Sequence, residues 1–367
     1  MFANKISPAL CVLSALAMSV SGPLSALADD AVEKPTGPVV EQKTLETKTT
    51  FIEPSTDATT SITSTTGATS DKAKTSHGRP RIGLALGGGG ARGAAHIGVL
   101  KVLIAEGIPI DMIAGTSIGA IVGGLYASGV PMSVLEENFA DARLMKNFMT
   151  VPLTFRIIVA PIMVLPRLVG HKAYDGLYKG VKFRNFCNKL APEGKRTIES
   201  LDKPFAAISL SLLDGKEHML TKGDLGTALQ ASSAVPGLRK PVEIDDNLFV
   251  DGGVLANVPV EYARKLGADF IIAVNIDEKV ELAEKKEFLG AGSVARRMIK
   301  LELNGLDQPQ CIGADIIIHP DTDGISLVSR KKSDGIKGIK AGEAAARAAL
   351  PEIKRKLASL GVLSLNK

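Results

Sequence analysis

The feature that most constrains this chain is a pair of short apolar runs, each breaking into glycine and then into helical spacing. Residues 81–86 (RIGLAL) end in Gly87-Gly88-Gly89-Gly90-Ala91-Arg92-Gly93, after which Ile97, Leu100 and Ile104 recur on one helical face. Residues 112–114 run into Gly115-Thr116-Ser117-Ile118-Gly119, followed by the small-residue helical stretch 120–127. Two strand-turn-helix units in succession call for an α/β fold. The chain's 37 glycines in 367 residues, above the usual share of about 7%, gather at such junctions and favour one α/β domain with tight turns.

A glycine loop between strand and helix points backbone N–H groups into open space at a helix N-terminus. It can hold a phosphate or the oxyanion of an acyl-transfer intermediate. A dinucleotide site built on Gly88-x-Gly90-x-x-Gly93 needs an acidic residue about twenty positions on, at the end of the next strand. That strand instead enters the Ser117 turn, and Asp111 stands at its wrong end. No Gly-Lys-Ser/Thr ending is present for a P-loop either.

Gly115 to Gly119 fits G-x-S-x-G between an apolar strand and a small-residue helix, the context of a nucleophile elbow. The pattern alone is common by chance, and the glycine loop one βα unit upstream gives it weight. A serine nucleophile needs a base. Residues 248–250 (LFV) read as a short strand with Asp251-Gly252-Gly253 at its carboxyl end, the edge where sites collect in α/β sheets. A carboxylate with a solution pKa near 4 serves only if a dry pocket makes it more basic and places it within hydrogen-bond reach.

Together, Gly88-Gly89-Gly90-Ala91-Arg92-Gly93, Gly115-Thr116-Ser117-Ile118-Gly119 and Asp251-Gly252-Gly253 closely resemble the signature of the patatin-like phospholipases. Residues 231–237 and Asn257-Val258-Pro259 also look like family segments, and the likeness fades after about Val274. The resemblance implies a three-layer α/β/α fold with a mostly parallel central sheet, and a Ser117–Asp251 dyad without histidine. It also implies an oxyanion hole from Gly88, Gly89 and Gly90, and phospholipid or other lipid acyl esters as substrates. Arg92, Gly93, Gly115, Gly119, Gly252 and Gly253 would support these motifs. No cofactor or metal is required by such chemistry. A non-catalytic lipid-binding module on the same fold is the competing reading, and nucleotide binding through the glycine loop a third.

The remainder bounds the setting. Lys5, a mostly apolar stretch over 8–20 and Ala26-Leu27-Ala28 read as an export signal, 1–28, and a retained membrane anchor is the alternative. Residues 29–80 are rich in Thr, Ser, Lys and Glu and read as a disordered linker, followed by a domain over 81–367 with a helical C-terminal extension. Export would place the protein in a periplasm or outside the cell. Cys187 and Cys311 read as a pair of buried thiols or one disulfide, with the thiols favoured. A net charge of +5 with 4% aromatics gives no stacking surface for nucleic acid and supports at most a weak attraction to anionic membranes, so peripheral membrane contact is expected. Residues 151–170 are apolar but broken by Pro152, Pro161 and Pro166, consistent with an interfacial lid or with core packing. The Ala-rich 341–360 reads as helix, and no series of alternating strands suggests a barrel. Arg92 could hold a lipid phosphate or brace the glycine loop, and bracing is preferred. His319 offers a formal Ser-Asp-His order, and His96 reads as a packing residue.

Overall fold

In a computed structural model of the chain, the described residues are 78–151, 174–290 and 293–363. The export signal, the linker up to residue 77 and all but Val151 of the apolar segment 151–170 lie outside them.

Among the described residues, five strands run parallel from the middle of the sheet to one edge: β1 (Ile82–Leu86), β2 (Met112–Thr116), β3 (Phe205–Ser211), β7 (Phe270–Val274) and the edge strand β8 (Ile316–Ile318). Three more, β4 (Glu217–Leu220), β5 (Val242–Ile244) and β6 (Asn247–Asp251), pair antiparallel. The strand order is β5-β6-β3-β2-β1-β7-β8, with β4 beside β3. Strands β1, β2, β3 and β7 are buried throughout, which explains their continuous apolar runs: both faces of a central parallel strand are covered.

The two faces carry different side chains. Leu84, Leu86, Ile113, Phe205, Ile272 and Val274 face the larger core, built with helices α1 (Ala94–Ala105), α2 (Ile118–Ala127), α3 (Met132–Ala140), α4 (Arg143–Phe148), α5 (Val181–Leu190) and α6 (Leu225–Ser232). Ala85, Ala114, Ala206 and Ala273 face a thinner layer containing α7 (Val260–Lys265). Helix, sheet and helix layers follow, as expected.

Pairing register brings the two candidate site residues together. Strand β4 pairs with β3 over Ala207–Leu210, β2 pairs with Phe205–Ile208, and β6 pairs with Ser209–Ser211. A strand has only two edges, so β4 takes one while β2 and β6 share the other, end to end. Thr116, opposite Ile208, ends β2, and Asp251, opposite Ser209, ends β6. The carboxyl ends of β2 and β6 therefore meet along one edge of β3.

The C-terminal region is part of the same core. Helix α8 (Ser293–Gln310) is followed by β8, and helix α9 (Lys332–Ser359) contributes Ile339, Ala346, Ile353 and Leu357 to the large core. It starts nine residues before the helical stretch read in the sequence. Gly335, Gly338 and Gly342 hide the helix from propensity, yet Gly338 and Gly342 let it approach α1 closely and Gly335 lets it approach the end of α3. A Cβ on Gly342 would strike the Ala95 carbonyl, and one on Gly98 would strike the Ile339 carbonyl. Cys187 and Cys311 are buried free thiols, so the disulfide alternative does not hold.

Candidate active site

Ser117 ends the β2 turn at φ 53° and ψ −120°. A non-glycine residue pays on the order of 1–3 kcal/mol for such a conformation, so the surroundings must hold it. They do: its amide donates to Ser232 Oγ at 2.9 Å, and Ser232 Oγ donates to the Ile208 carbonyl at 2.6 Å. The flanking glycines are sterically obligatory. A Cβ on Gly119 would strike the Leu86 carbonyl, one on Gly115 would sit 2.5 Å from the Ala120 nitrogen, and one on Gly93 would enter the Ile118 side chain.

Ser117 Oγ donates to Asp251 Oδ2 at 2.6 Å. Asp251 Oδ1 accepts the Gly253 amide at 2.8 Å, and a Cβ on Gly252 would strike the Ile208 carbonyl. Asp251 is 5% exposed. Burial raises its pKa to about 6, against the lowering effects of the Ser117 hydroxyl, the Gly253 amide and the charge of Arg239. Its carboxylate is thus more basic than a solvated one. Arg239 is 2% exposed, lies 3.8 Å over the Phe148 ring and donates to the Phe148 carbonyl at 2.8 Å.

The glycine loop lies against the serine: a Cβ on Gly88 would be 3.4 Å from the Ser117 Cβ. The Gly88 amide is engaged by the Asn257 carbonyl at 3.2 Å, and Ala91 donates to the Leu327 carbonyl at 2.9 Å. The Gly89 and Gly90 amides take no backbone acceptor among the described loop bonds, and both residues line the pocket. They are the loop's unengaged donors, with φ of 144° and 55° that glycine alone adopts readily.

Arg92 braces this loop. Its Nε donates to the Ile325 carbonyl at 3.0 Å, and its guanidinium meets Asp277 at 3.2 Å and Glu278 at 2.7 Å. His96 Nε2 donates to the Gly87 carbonyl at 2.8 Å, and burial lowers its pKa to about 4, so it holds the loop as a neutral ring. His319 Nε2 lies 2.6 Å from the Asp277 carbonyl and does not border the pocket. The Ser117–Asp251 contact is made without either ring.

Ser117, Asp251 and the loop open into a pocket of about 170 Å³. Ile118, Ile121, Met145, Phe148, Leu303 and Leu306 give it apolar walls. Such a pocket has room for an aliphatic chain beside the Ser117 hydroxyl. Among its lining residues the charged ones are all carboxylates, Asp251, Asp277 and Glu302.

Sequence reasoning singled out Ser117, Asp251 and the loop, and the structure brings them together. It assigned no role to Ser232, Arg239, Asn257, Asp277 or Asp307. Ser232 and Asn257 stood inside segments that looked familial, and this was a usable signal. Asp277 and Asp307 carried none, because their meaning lies in a contact across thirty residues.

An elbow serine hydrogen-bonded to a buried carboxylate, beside unengaged loop amides on an α/β sheet, is the geometry of a nucleophile with a base at hand. The family model described as patatin-like phospholipase matches residues 84–264. An uncharacterized NTE family protein of Mycobacterium tuberculosis is 37% identical over 198 residues, covering 54% of this chain and 49% of that protein. Lysophospholipase NTE1 of Mycosarcoma maydis is 33% identical over 195 residues, covering 53% of this chain and 10% of that protein. The chain thus matches about half of the mycobacterial relative's length. VipD from Legionella pneumophila aligns at 16% identity with a TM-score of 0.43, over 75% of this chain and 67% of that one. The family model and the curated relatives thus mark residues 84–264 as similar to the patatin-like phospholipases, and the fold is the patatin fold.

Proposed function

We propose that this protein is a lipid-acyl hydrolase of phospholipase A or lysophospholipase type, acting through a Ser117–Asp251 dyad. The observation that carries this reading is the 2.6 Å hydrogen bond from Ser117 Oγ to a buried, basic Asp251 at the base of an apolar pocket. Asp251 takes the Ser117 proton as Oγ attacks the ester carbonyl. The Gly89 and Gly90 amides donate to the oxyanion as it forms, where fixed dipoles gain most. Asp251 then returns the proton to the departing alcohol, and water, deprotonated by the same carboxylate, releases the fatty acid.

The reading includes contact with a membrane surface, from which the acyl chain enters. It also includes export with removal of residues 1–28, supported by Lys5, the apolar stretch over 8–20 and Ala26-Leu27-Ala28.

The test is fatty-acid release from mixed phospholipid vesicles by the full chain, beside Ser117→Ala and His319→Ala proteins of unchanged circular dichroism. Loss with Ser117→Ala and retention with His319→Ala is the expected result. Release that survives Ser117→Ala would overturn the mechanism, and a wild-type protein that neither releases fatty acid nor reacts with a fluorophosphonate would favour the lipid-binding module.

A further inference from the structure

A buried pair of acids lies behind the glycine loop. Asp277, which follows β7, and Asp307 of α8 are joined through one amide: Asn257 Nδ2 donates to Asp277 Oδ2 and to Asp307 Oδ1, each at 2.9 Å. Asp307 is 0% exposed, and its Oδ2 meets no donor. A buried carboxylate oxygen without a donor is costly if ionised and inexpensive if it carries a proton. Two carboxyl groups this close cannot both ionise, so one proton between them is the stable arrangement.

The surroundings decide which group holds it. Asp277 faces Arg92, its backbone carbonyl meets His319, and Glu278 beside it is shared by Arg92 and Lys300. Asp307 faces Asp277, Asn257 and Asn275, with Cys311 one turn on in the chain. The cation is on the Asp277 side, so Asp277 is the ionised partner and Asp307 the acid.

This pair reaches the reaction through the loop. Asn257, fixed by both acids, offers its backbone carbonyl to the Gly88 amide, and Arg92, fixed by Asp277, anchors the loop's other end. We propose that Asp277 and protonated Asp307 form a positioning unit that clamps the oxyanion loop at both ends through Asn257 and Arg92, and that ionisation of Asp307 releases the clamp. Burial and the neighbouring Asp277 charge raise the Asp307 pKa to about 8, so the clamp would loosen on the alkaline side. The inference rests on the glycine loop serving the Ser117–Asp251 reaction.

The test measures kcat and KM for a soluble ester from pH 5 to 10 in the full chain, beside Asp307→Asn and Asp307→Ala. Asparagine keeps the shape, accepts from Asn257 and donates to Asp277 without a titrating proton. The expected result is an alkaline fall in wild-type kcat that is absent in Asp307→Asn, with KM changed little. Asp307→Ala should lose about tenfold or more in kcat, since it releases Asn257. An alkaline limb unchanged in Asp307→Asn would overturn the proposal, as would an Asp307→Ala protein with wild-type kcat. Infrared difference spectra of the full chain separate this from a failure of the hydrolase reading. A protonated-carboxyl band that bleaches as pH rises through 8, and is missing in Asp307→Asn, supports the shared proton without turnover. Absence of that band in the wild type would overturn it.

Discussion

The site draws on two regions that differ in how they write themselves into sequence. Residues 82–253 supply Ser117, Asp251 and the glycine loop, the groups of the proposed reaction, and announce them through glycines next to Ser117 and Asp251. Residues 270–359 supply none of these groups, yet Leu327, Ile325 and Asp277 hold the glycine loop, and α9 lies against the helix that follows it. Chemistry needs particular residues at fixed local spacing, so it leaves motifs. Support needs only a carbonyl or a close surface at the right place, which many sequences provide. Four variants can break this comparison or sharpen it.

The largest effect is expected in the first region. Asp251→Asn should lower kcat by at least about 10³-fold, since an amide cannot take the Ser117 proton. The same protein should become more stable. The folded-state pKa of Asp251 is about 6 against a model value of 3.8. The native state therefore holds the proton more tightly, and stability falls as pH rises from about 4 to about 6 and stays lower above that. The shift corresponds to a cost on the order of 3 kcal/mol at pH 7. Thermal melts should show Asp251→Asn above wild type at pH 7.5, by a margin that shrinks as pH is lowered through 6. A lower Tm at pH 7.5 would mean that burial of this carboxylate is not the stored cost of the site. The same ionisation sets the acid limb of wild-type kcat/KM near pH 6, with activity present above it and lost below.

In the second region the expected effect is on stability. Alanine is favoured over glycine inside a helix by about 1 kcal/mol. At Gly305 of α8 a Cβ meets nothing within 4 Å, so Gly305→Ala should gain up to that amount. At Gly342 the new Cβ would strike the Ala95 carbonyl, and overpacking costs about 1–3 kcal/mol. Gly342→Ala should therefore melt below wild type while Gly305→Ala melts at or above it. Equal melting points would show that α9 is a detachable extension and not part of the core beneath the loop.

This contrast also explains what could be read beforehand. The central strands, the elbow and the glycine loop were legible because their signals are local: apolar runs, glycines and one serine within a few residues. Convergence of Ser117 with Asp251 was legible only through family resemblance, since it depends on β2 and β6 sharing one edge of β3. The Asn257, Asp277 and Asp307 network was not legible. Its members are ordinary polar residues whose burial follows from packing between elements that sequence does not pair.

The smallest effect concerns Arg239, where the two kinds of contribution meet. It touches no reacting atom, yet it is a buried cation whose Nε and Nη1 have no acceptor and whose charge lowers the Asp251 pKa. Arg239→Met keeps a long side chain between Phe148 and Phe183 and removes that charge. Asp251 should then hold its proton to higher pH, so the acid limb of kcat/KM should move in the alkaline direction while the plateau rate changes little. Removing a buried charge with few partners should also leave stability unchanged or improved. A limb that stays in place would show that desolvation alone sets the basicity of Asp251, and that Arg239 belongs with the silent supports of the second region. A limb that moves would make it a tuning residue, which neither motif nor spacing reveals because its action is through space.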